Sequence, residues 1–199
     1  MWFSTHFKNR TNRWALGLLA AIVMSCALSG PSMANQASHN NGSVSADWLS
    51  SRYQTLKLLG QGELRFLGLK IYNARLYAEH PAALQLSKAL YGQPFALRLT
   101  YARSIKGLDI AKRSEQEMAR LMGRELPQPW ADALQRLFPD VQAGDEITGI
   151  HLPQKGARFY LNGRLIGTLE NLELAQSFFD IWLSERTREP ALRAALLGL

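Results

Sequence analysis

One dipeptide, Asn162-Gly163, constrains the fold of this chain more than any other feature of its sequence. It separates two short runs of alternating apolar residues in "ARFYLNGRLIGTL". Asn-Gly is the preferred pair for a two-residue turn, because both central residues of that turn need positive φ angles. The pattern therefore predicts an antiparallel β-hairpin. That turn places two pairs of residues opposite each other, Leu161 with Arg164 and Phe159 with Ile166.

The remainder of the chain adds further strands and several helices around this hairpin. Residues 55–79 suit two strands broken at Leu67-Gly68, and a helix after residue 106 is stopped by Gly123. Strands and helices cluster instead of alternating, so the sequence predicts an α+β fold, an antiparallel sheet covered on one side by helices. The other predicted strands cover 95–104 and 144–152, and the predicted helices cover 81–90, 107–122, 129–140, 172–183 and a short segment from Pro190.

The N-terminal segment is typical of a secretory signal peptide. A basic start is followed by a predominantly apolar run over residues 14–28 and by small residues at 32 and 34. The pattern predicts cleavage after Ala34. The alternatives are a membrane anchor, for which 15 apolar residues fall short of the roughly 20 that a spanning helix needs, and a lipoprotein signal at Cys26. The predicted division is a signal peptide over 1–34, a disordered leader over 35–46 and one domain over 47–199.

Composition narrows the function classes. Cys26 is the only cysteine, so the exported chain would form no disulfide, and a bacterial periplasm is the expected location. Removing the three cations of the signal peptide lowers the net charge from +7 to +4, with no basic run typical of nucleic-acid binding. That mild positive charge leaves a weak association with a membrane surface open. His80 and His151 are isolated, and phosphate-loop and serine-elbow motifs are missing, so we expect no metal, no cofactor and no covalent catalysis.

The stretch "GELRFLGLKIYNARLYAE" places Arg65 in an apolar run. If Leu67-Gly68 is a two-residue turn, Phe66 pairs with Leu69 and Arg65 pairs with Lys70. Tyr72 would then share the face of Arg65, and the two side chains would suit a carboxylate or phenolate. A three-residue turn would instead separate Arg65 and Tyr72. A further alternative is that Arg65 pairs with Glu63 at a rim.

A second polar feature lies on the helix predicted over 107–122. Ile110, Ser114, Glu117 and Leu121 share one stripe of that helix. If the apolar stripe centres on Met118, Glu117 lies at a solvated margin, which is the interpretation that helix periodicity favours.

Four stretches, in this order and spacing, resemble the chalcone isomerase-like family, particularly its bacterial exported branch. The resemblance covers roughly residues 55–198 and implies an open-faced sandwich, an antiparallel sheet with a helical layer enclosing a ligand cleft. The family includes enzymes that cyclise chalcones, relatives that bind fatty acids, and non-catalytic members. The four stretches are "GELRFLGLKIYNARLYAE", "LRLTYARSI", "GDEITGIHLPQKGARFYLNGRLIGTL" and "FFDIWLSERTREPALRAALLG".

The resemblance also assigns residues to the family's site. Arg65 matches the arginine that holds the phenolate, and Tyr72 falls where the enzymes have a threonine. Ile110 and Glu117 fall on the helix tyrosine and asparagine, and Ile181 falls near a C-terminal threonine or serine. Isoleucines cannot donate hydrogen bonds to a developing enolate, and an ionised Glu117 would repel it, so efficient chalcone cyclisation is not expected.

The sequence thus predicts an exported, non-catalytic binding protein for a small amphipathic anion, such as a fatty acid. Arg65 and Tyr72 would hold the anionic group and an apolar cleft would take the acyl chain. The alternatives are a chalcone isomerase-type lyase or isomerase acting on an unsaturated ketone, and a structural or partner-binding module with a closed cleft. The residues expected at the ligand site are Arg65, Tyr72, Lys70, Ile110, Glu117 and Ile181.

Overall fold

The computed structural model of the protein describes residues 48–79 and 90–199. The predicted signal peptide and leader lie outside the described residues, as do His80 and nearly all of the helix predicted over 81–90.

A six-stranded sheet forms the centre of the described chain. Every strand pairs antiparallel with its neighbour in sequence, so the strand order is β1 to β6. The antiparallel sheet predicted from the hairpin pattern is confirmed. The strands are β1 (Lys57–Phe66), β2 (Leu69–Ala78), β3 (Phe95–Tyr101), β4 (Glu146–Leu152), β5 (Gly156–Leu161) and β6 (Arg164–Leu169).

Five helices are described, and their ends follow local signals. The longest ends at Gly123, which takes a left-handed φ of 71° as predicted. The helix after the last strand begins where the Asn171 side chain accepts a hydrogen bond from the Leu174 amide at 2.8 Å. The helices are α1 (Trp48–Arg52), α2 (Gly107–Met122), α3 (Gln128–Leu137), α4 (Leu172–Leu183) and α5 (Pro190–Leu197).

The main core lies between the sheet and the layer of α2 to α5, and we call this side of the sheet its helical face. Aromatic rings fill its centre, with Phe159 contacting Phe178 at 5.1 Å between ring centroids. Leu161 lies opposite Arg164 as predicted, but Phe159 lies opposite Gly167. The pairing predicted with Ile166 is wrong, because the register shifts between Phe159 and Tyr160.

The other side of the sheet, its outer face, carries a smaller apolar cluster under α1. Leu49 from α1 and Leu56 pack with Ala96, Ile150 and Tyr160 of the sheet. These strand residues alternate with those of the main core, as the two-residue period of a strand requires. A helix therefore covers part of the outer face too. None of the described helices is long and apolar enough to cross a membrane.

Candidate functional site

The hairpin of β1 and β2 has the two-residue turn, one of the two alternatives that the sequence left open. Leu67 and Gly68 take positive φ angles of 48° and 80°. Phe66 pairs with Leu69 next to the turn, and Arg65 pairs with Lys70 after them. A two-residue turn of this kind matches the twist of the strands that it joins.

One extra residue then changes the register. Arg65 lies opposite Lys70, but the next pair joins Leu64 to Tyr72, so Ile71 has no partner in β1. A bulge of one residue reverses the faces of all side chains beyond it. Tyr72 therefore points to the helical face, while Arg65 points to the outer face. The predicted meeting of Arg65 and Tyr72 at one ligand is wrong.

Arg65 is a surface residue with partners of its own. Its Nε donates to Glu63 Oε1 at 2.5 Å, its Nη1 donates to the Gly68 carbonyl at 3.2 Å, and its side chain is 56% exposed. Lys70 Nζ lies 3.2 Å from the second oxygen of the same carboxylate. The hydrogen bond from Arg65, followed by that from Lys70, lowers the pKa of Glu63. The alternative in which Arg65 pairs with Glu63 at a rim is confirmed.

Tyr72 is buried within the layer between sheet and helices. Its hydroxyl accepts a hydrogen bond from Trp182 Nε1 at 2.9 Å, and its ring meets the edge of Tyr101 at 6.0 Å. Burial raises the pKa of the Tyr72 phenol well above its usual value, with smaller effects from Trp182, Glu189 and Arg113. Tyr72 is therefore a neutral residue of the core.

Glu117 is the predicted site residue with the most unusual surroundings. Its carboxylate is 8% exposed and contacts three arginines, at 2.9 Å to Arg113 Nη2, 2.8 Å to Arg120 Nε and 3.4 Å to Arg188 Nε. The expectation that Glu117 lies at a solvated margin is wrong. Arg113 and Arg120 precede and follow it by four and three residues, which brings their side chains to the same side of α2.

The loop between α4 and α5 completes this arrangement, which we call the Glu117 cluster (Arg113, Glu117, Arg120 and Arg188). Arg120 Nη1 donates to the Arg186 carbonyl at 2.9 Å, and the Arg186 guanidinium donates to the Leu121 carbonyl. These bonds fasten the loop to the end of α2 and hold Arg188 beside Glu117. Arg120 Nη2 is buried and finds no hydrogen-bond acceptor within the described parts of the chain.

The charges of the cluster do not cancel. Three guanidinium groups face one carboxylate, which leaves a net charge of +2 at one place on the helical layer. A buried carboxylate that binds several guanidinium groups fixes their positions, and fixed guanidinium groups are suited to bind carboxylate or phosphate. The spacing of Arg113, Glu117 and Arg120 is visible in the sequence, but Arg188 lies too far along the chain for a local pattern to connect it with them.

Ile110 and Ile181 supply apolar surface near this cluster. Both are partly buried and pack against the main core. Ile110 lies two helical turns before Glu117 on α2. The Ile181 carbonyl accepts a hydrogen bond at 2.7 Å from the hydroxyl of Thr187, the residue that precedes Arg188. Neither side chain has a polar atom for catalysis.

Two of the surface depressions of the described chain lie away from the predicted cleft, since neither is lined by Tyr72 or Trp182. One, of about 350 Å³, is lined by Gln61, Glu63, Asn73 and Arg75, so it lies against the first two strands. The interior between Tyr72 and Trp182 is filled by their own side chains. The predicted apolar cleft is therefore closed at Tyr72.

The second depression, of about 490 Å³, was not anticipated from the sequence. Tyr91 donates its hydroxyl hydrogen to Asp180 Oδ1 at 2.7 Å beside it, and Arg186 lines its edge. Burial raises the pKa of Asp180. The two polar partners are 89 residues apart, so no local pattern links them. The described residues contain no group of three potential metal ligands.

Comparisons with known proteins agree with this architecture. No curated protein sequence is significantly similar to this chain. Among solved structures, the fold is similar to that of an Arabidopsis thaliana fatty-acid binding protein, with a TM-score of 0.55 over 72% of this chain and 87% of that one. The two sequences are 15% identical, so this likeness concerns the fold. The sequence model of the chalcone isomerase-like family matches residues 37–198, and the protein therefore belongs to the chalcone isomerase-like family.

Proposed function

We propose that this protein is an exported, non-catalytic binding protein for a small amphipathic anion such as a fatty acid, and that the Glu117 cluster holds the anionic group. The observation that carries the proposal is the convergence of three arginines on one buried carboxylate. This site replaces Arg65 and Tyr72, which lie on opposite faces of the sheet.

The arginines of the cluster divide into a fixed one and two that reach solvent. The Arg113 and Arg188 side chains are 56% and 58% exposed, so both guanidinium groups can meet a ligand while still touching Glu117. Arg120 is 29% exposed and holds the carboxylate in place. An incoming carboxylate would form charge-assisted hydrogen bonds with the two exposed groups.

The ligand's apolar part would contact the surface around Ile110 and Ile181. Binding of a fatty acid by the Arabidopsis thaliana protein of similar fold supports this class of ligand. A long acyl chain would also require side chains around Tyr72 and Trp182 to move, because they fill the interior.

The same geometry argues against catalysis at the positions that the enzymes use. Cyclising a chalcone requires donors to stabilise the developing enolate. Ile110 and Ile181 offer none, and Glu117 carries a negative charge shared among arginines. The Tyr72 hydroxyl is buried against Trp182 in the packed interior, where a substrate would not reach it. The packing around Tyr72 favours one other function, a structural or partner-binding module with a closed cleft.

A binding experiment separates these two functions. We expect palmitate to bind the wild-type chain in isothermal titration calorimetry and the double variant Arg113→Gln/Arg188→Gln to bind it at least about tenfold more weakly, because two charge-assisted hydrogen bonds are lost. Arg120 remains to pair with Glu117, so the variant should fold. Native mass spectrometry of the gently purified chain would show whether a ligand is already bound.

The matched control removes two arginines elsewhere. Arg65→Gln/Arg124→Gln changes the net charge by the same amount, at residues that pair with Glu63 and Glu173 on the surface. Its affinity for palmitate should stay within about twofold of wild type, since surface ion pairs contribute little and contact no ligand here. Equal losses in both double variants would assign the effect to overall charge. No binding by wild type would favour the closed module.

A further inference from the structure

The end of the β1–β2 hairpin carries apolar side chains that the fold does not use. Phe66, Leu67 and Leu69, which we call the hairpin tip, are 51%, 71% and 50% exposed. Only Gly68 interrupts them around the turn, and a two-stranded ribbon presents them at its end. An exposed apolar patch that is gathered at one protruding turn is a candidate interaction site.

Turn geometry does not explain the leucine at position 67. Another two-residue hairpin turn in the described part of the chain has nearly the same backbone, with φ angles of 49° at Asn162 and 80° at Gly163. Asparagine is favoured at such a left-handed position, while a leucine there is uncommon. Leucine is therefore not the residue that the backbone at position 67 favours, and its side chain is mostly exposed to solvent. The turn itself gives no reason for an apolar side chain at position 67.

Cations lie directly below the tip. Arg65 and Lys70 face each other across the hairpin and share the Glu63 carboxylate, so this group of three has a net charge of +1. The Ala102 amide donates to the Ile71 carbonyl at 2.9 Å, which brings Arg103 to the same end of the sheet. Exposed apolar residues next to long cationic side chains are the arrangement that favours the interface of an anionic bilayer.

The size of the patch favours lipid over a protein partner. Three partly exposed side chains offer on the order of 300 Å², whereas a stable protein interface buries roughly 800 Å² on each partner. Insertion into a lipid interface needs no matching surface, so a small protruding tip is sufficient.

We propose that the hairpin tip docks on the surface of a membrane containing anionic lipid, with Phe66, Leu67 and Leu69 entering the interfacial region and Arg65 and Lys70 meeting the head groups. This goes beyond the proposed binding of a small anion, because it assigns a second, separate surface. The outer-face cations then act on the membrane, while the Glu117 cluster lies on the helical layer.

The test compares Leu67→Asn with Leu165→Thr in vesicle flotation. Leu67→Asn installs the residue that the turn favours, so folding is kept while the apolar side chain is lost. Leu165 is 57% exposed near the other hairpin turn and serves as the control. On vesicles of phosphatidylcholine with about 30% phosphatidylglycerol, we expect Leu67→Asn to bind about five- to tenfold more weakly than wild type. Leu165→Thr should bind like wild type. Binding should weaken on pure phosphatidylcholine and at high salt.

A second readout reports the tip itself, whatever the N-terminal residues contribute to vesicle binding. In a Cys26→Ser background, a polarity-sensitive fluorophore on Leu67→Cys should shift to the blue when anionic vesicles are added, and the same label on Leu165→Cys should not. No shift at position 67, or equal binding by wild type and Leu67→Asn, would overturn the proposal. So would a dimer in light scattering that Leu67→Asn converts to a monomer without any vesicle binding.

The two proposals fail separately. Arg113→Gln/Arg188→Gln should keep vesicle binding within about twofold, because it leaves the tip intact. Loss of vesicle binding in that variant, with Leu67→Asn unaffected, would assign the membrane contact to the Glu117 cluster and overturn the role of the tip. Palmitate binding by Leu67→Asn at wild-type affinity would leave the proposed function unchanged.

Discussion

His151 is the only histidine among the described residues, and its surroundings disfavour a positive charge. The ring is 7% exposed, stacks on Phe95 at 4.8 Å and lies near the edge of Phe179. Nε2 is 3.0 Å from the Tyr91 carbonyl, while Nδ1 is buried with no partner among the residues described. Burial lowers the pKa of His151 below its ordinary 6.5, against the smaller opposite effect of the Tyr91 carbonyl.

This environment predicts a loss of stability in mild acid. Below pH 6.5 the unfolded chain binds a proton at His151 that the folded chain resists, so the free energy of unfolding falls as pH falls, by up to about 1.4 kcal/mol per pH unit. Urea unfolding from pH 7.5 to 5.5 should show this slope in wild type and a flatter one in His151→Gln. Identical slopes would contradict the assignment. Asp180, whose pKa burial raises, acts with the opposite sign, because its carboxyl binds a proton more readily in the folded chain than in the unfolded one.

The two residues that sequence reasoning misplaced were misplaced for different reasons. Tyr72 changed face because Ile71 forms a bulge, and nothing in the local pattern distinguishes a strand with one extra residue from one without it. Glu117 is buried because Arg188, 71 positions along the chain, covers it together with two arginines of its own helix. The Arg65 pair with Glu63 and Lys70 was within reach of the sequence, since it depends only on the adjacent turn.

At the scale of elements, the contact of α5 with β1 depends on glycine. Gly60 and Gly62 face the helix, and a methyl group on Gly60 would lie 2.2 Å from the Ala195 carbonyl oxygen. On Gly62 the nearest atom would be the end of the Leu192 side chain, at 2.7 Å. A backbone atom cannot move without shifting the helix, whereas a side-chain end can rotate away. The two positions therefore differ in tolerance.

Alanine substitutions test this difference. We expect Gly60→Ala to lower the free energy of unfolding by about 1–3 kcal/mol, as overpacking of a closed contact does. Gly62→Ala should cost clearly less, because Leu192 can adjust and because alanine reduces the entropy of the unfolded chain by about 0.4–1 kcal/mol in free energy. Urea denaturation of both variants measures the two values. A larger cost at Gly62 than at Gly60 would show that α5 does not approach β1 as described.

Elements whose ends carry strong local signals were predicted well. The turn at Asn162-Gly163 and the end of α2 at Gly123 are both confirmed. At Leu67-Gly68, where the local signal is weak, the sequence left two turns open and the structure has the two-residue one. Pairing inside the strands was less accessible, since the shift at Phe159 changed the partner from Ile166 to Gly167. Turn residues fix the start of a hairpin register, and a bulge beyond the turn leaves no comparable mark in the sequence.

For the whole molecule, the sheet separates two surfaces with different charge and chemistry. The helical layer carries the Glu117 cluster, and the outer face carries Arg65, Lys70 and the contact with α1. The class of fold followed from hairpin and helix patterns, but the division of cations between the two sides required the observed register. A protein that binds a small amphipathic anion on one side and a membrane at the hairpin tip would work best in a compartment bounded by membrane.

Export of the whole chain is the final prediction, and it comes from the sequence, since residues 1–47 lie outside the described part. A basic start, an apolar run of 15 residues and small residues at 32 and 34 predict cleavage after Ala34. When the full chain is expressed in a bacterial host, the periplasmic fraction should contain a protein beginning at Asn35. Ala34→Lys should leave a heavier, uncleaved form, and Cys26→Ser should be processed like wild type. Lipid labelling that Cys26→Ser abolishes would establish the lipoprotein alternative, and an uncleaved cytoplasmic chain would contradict export.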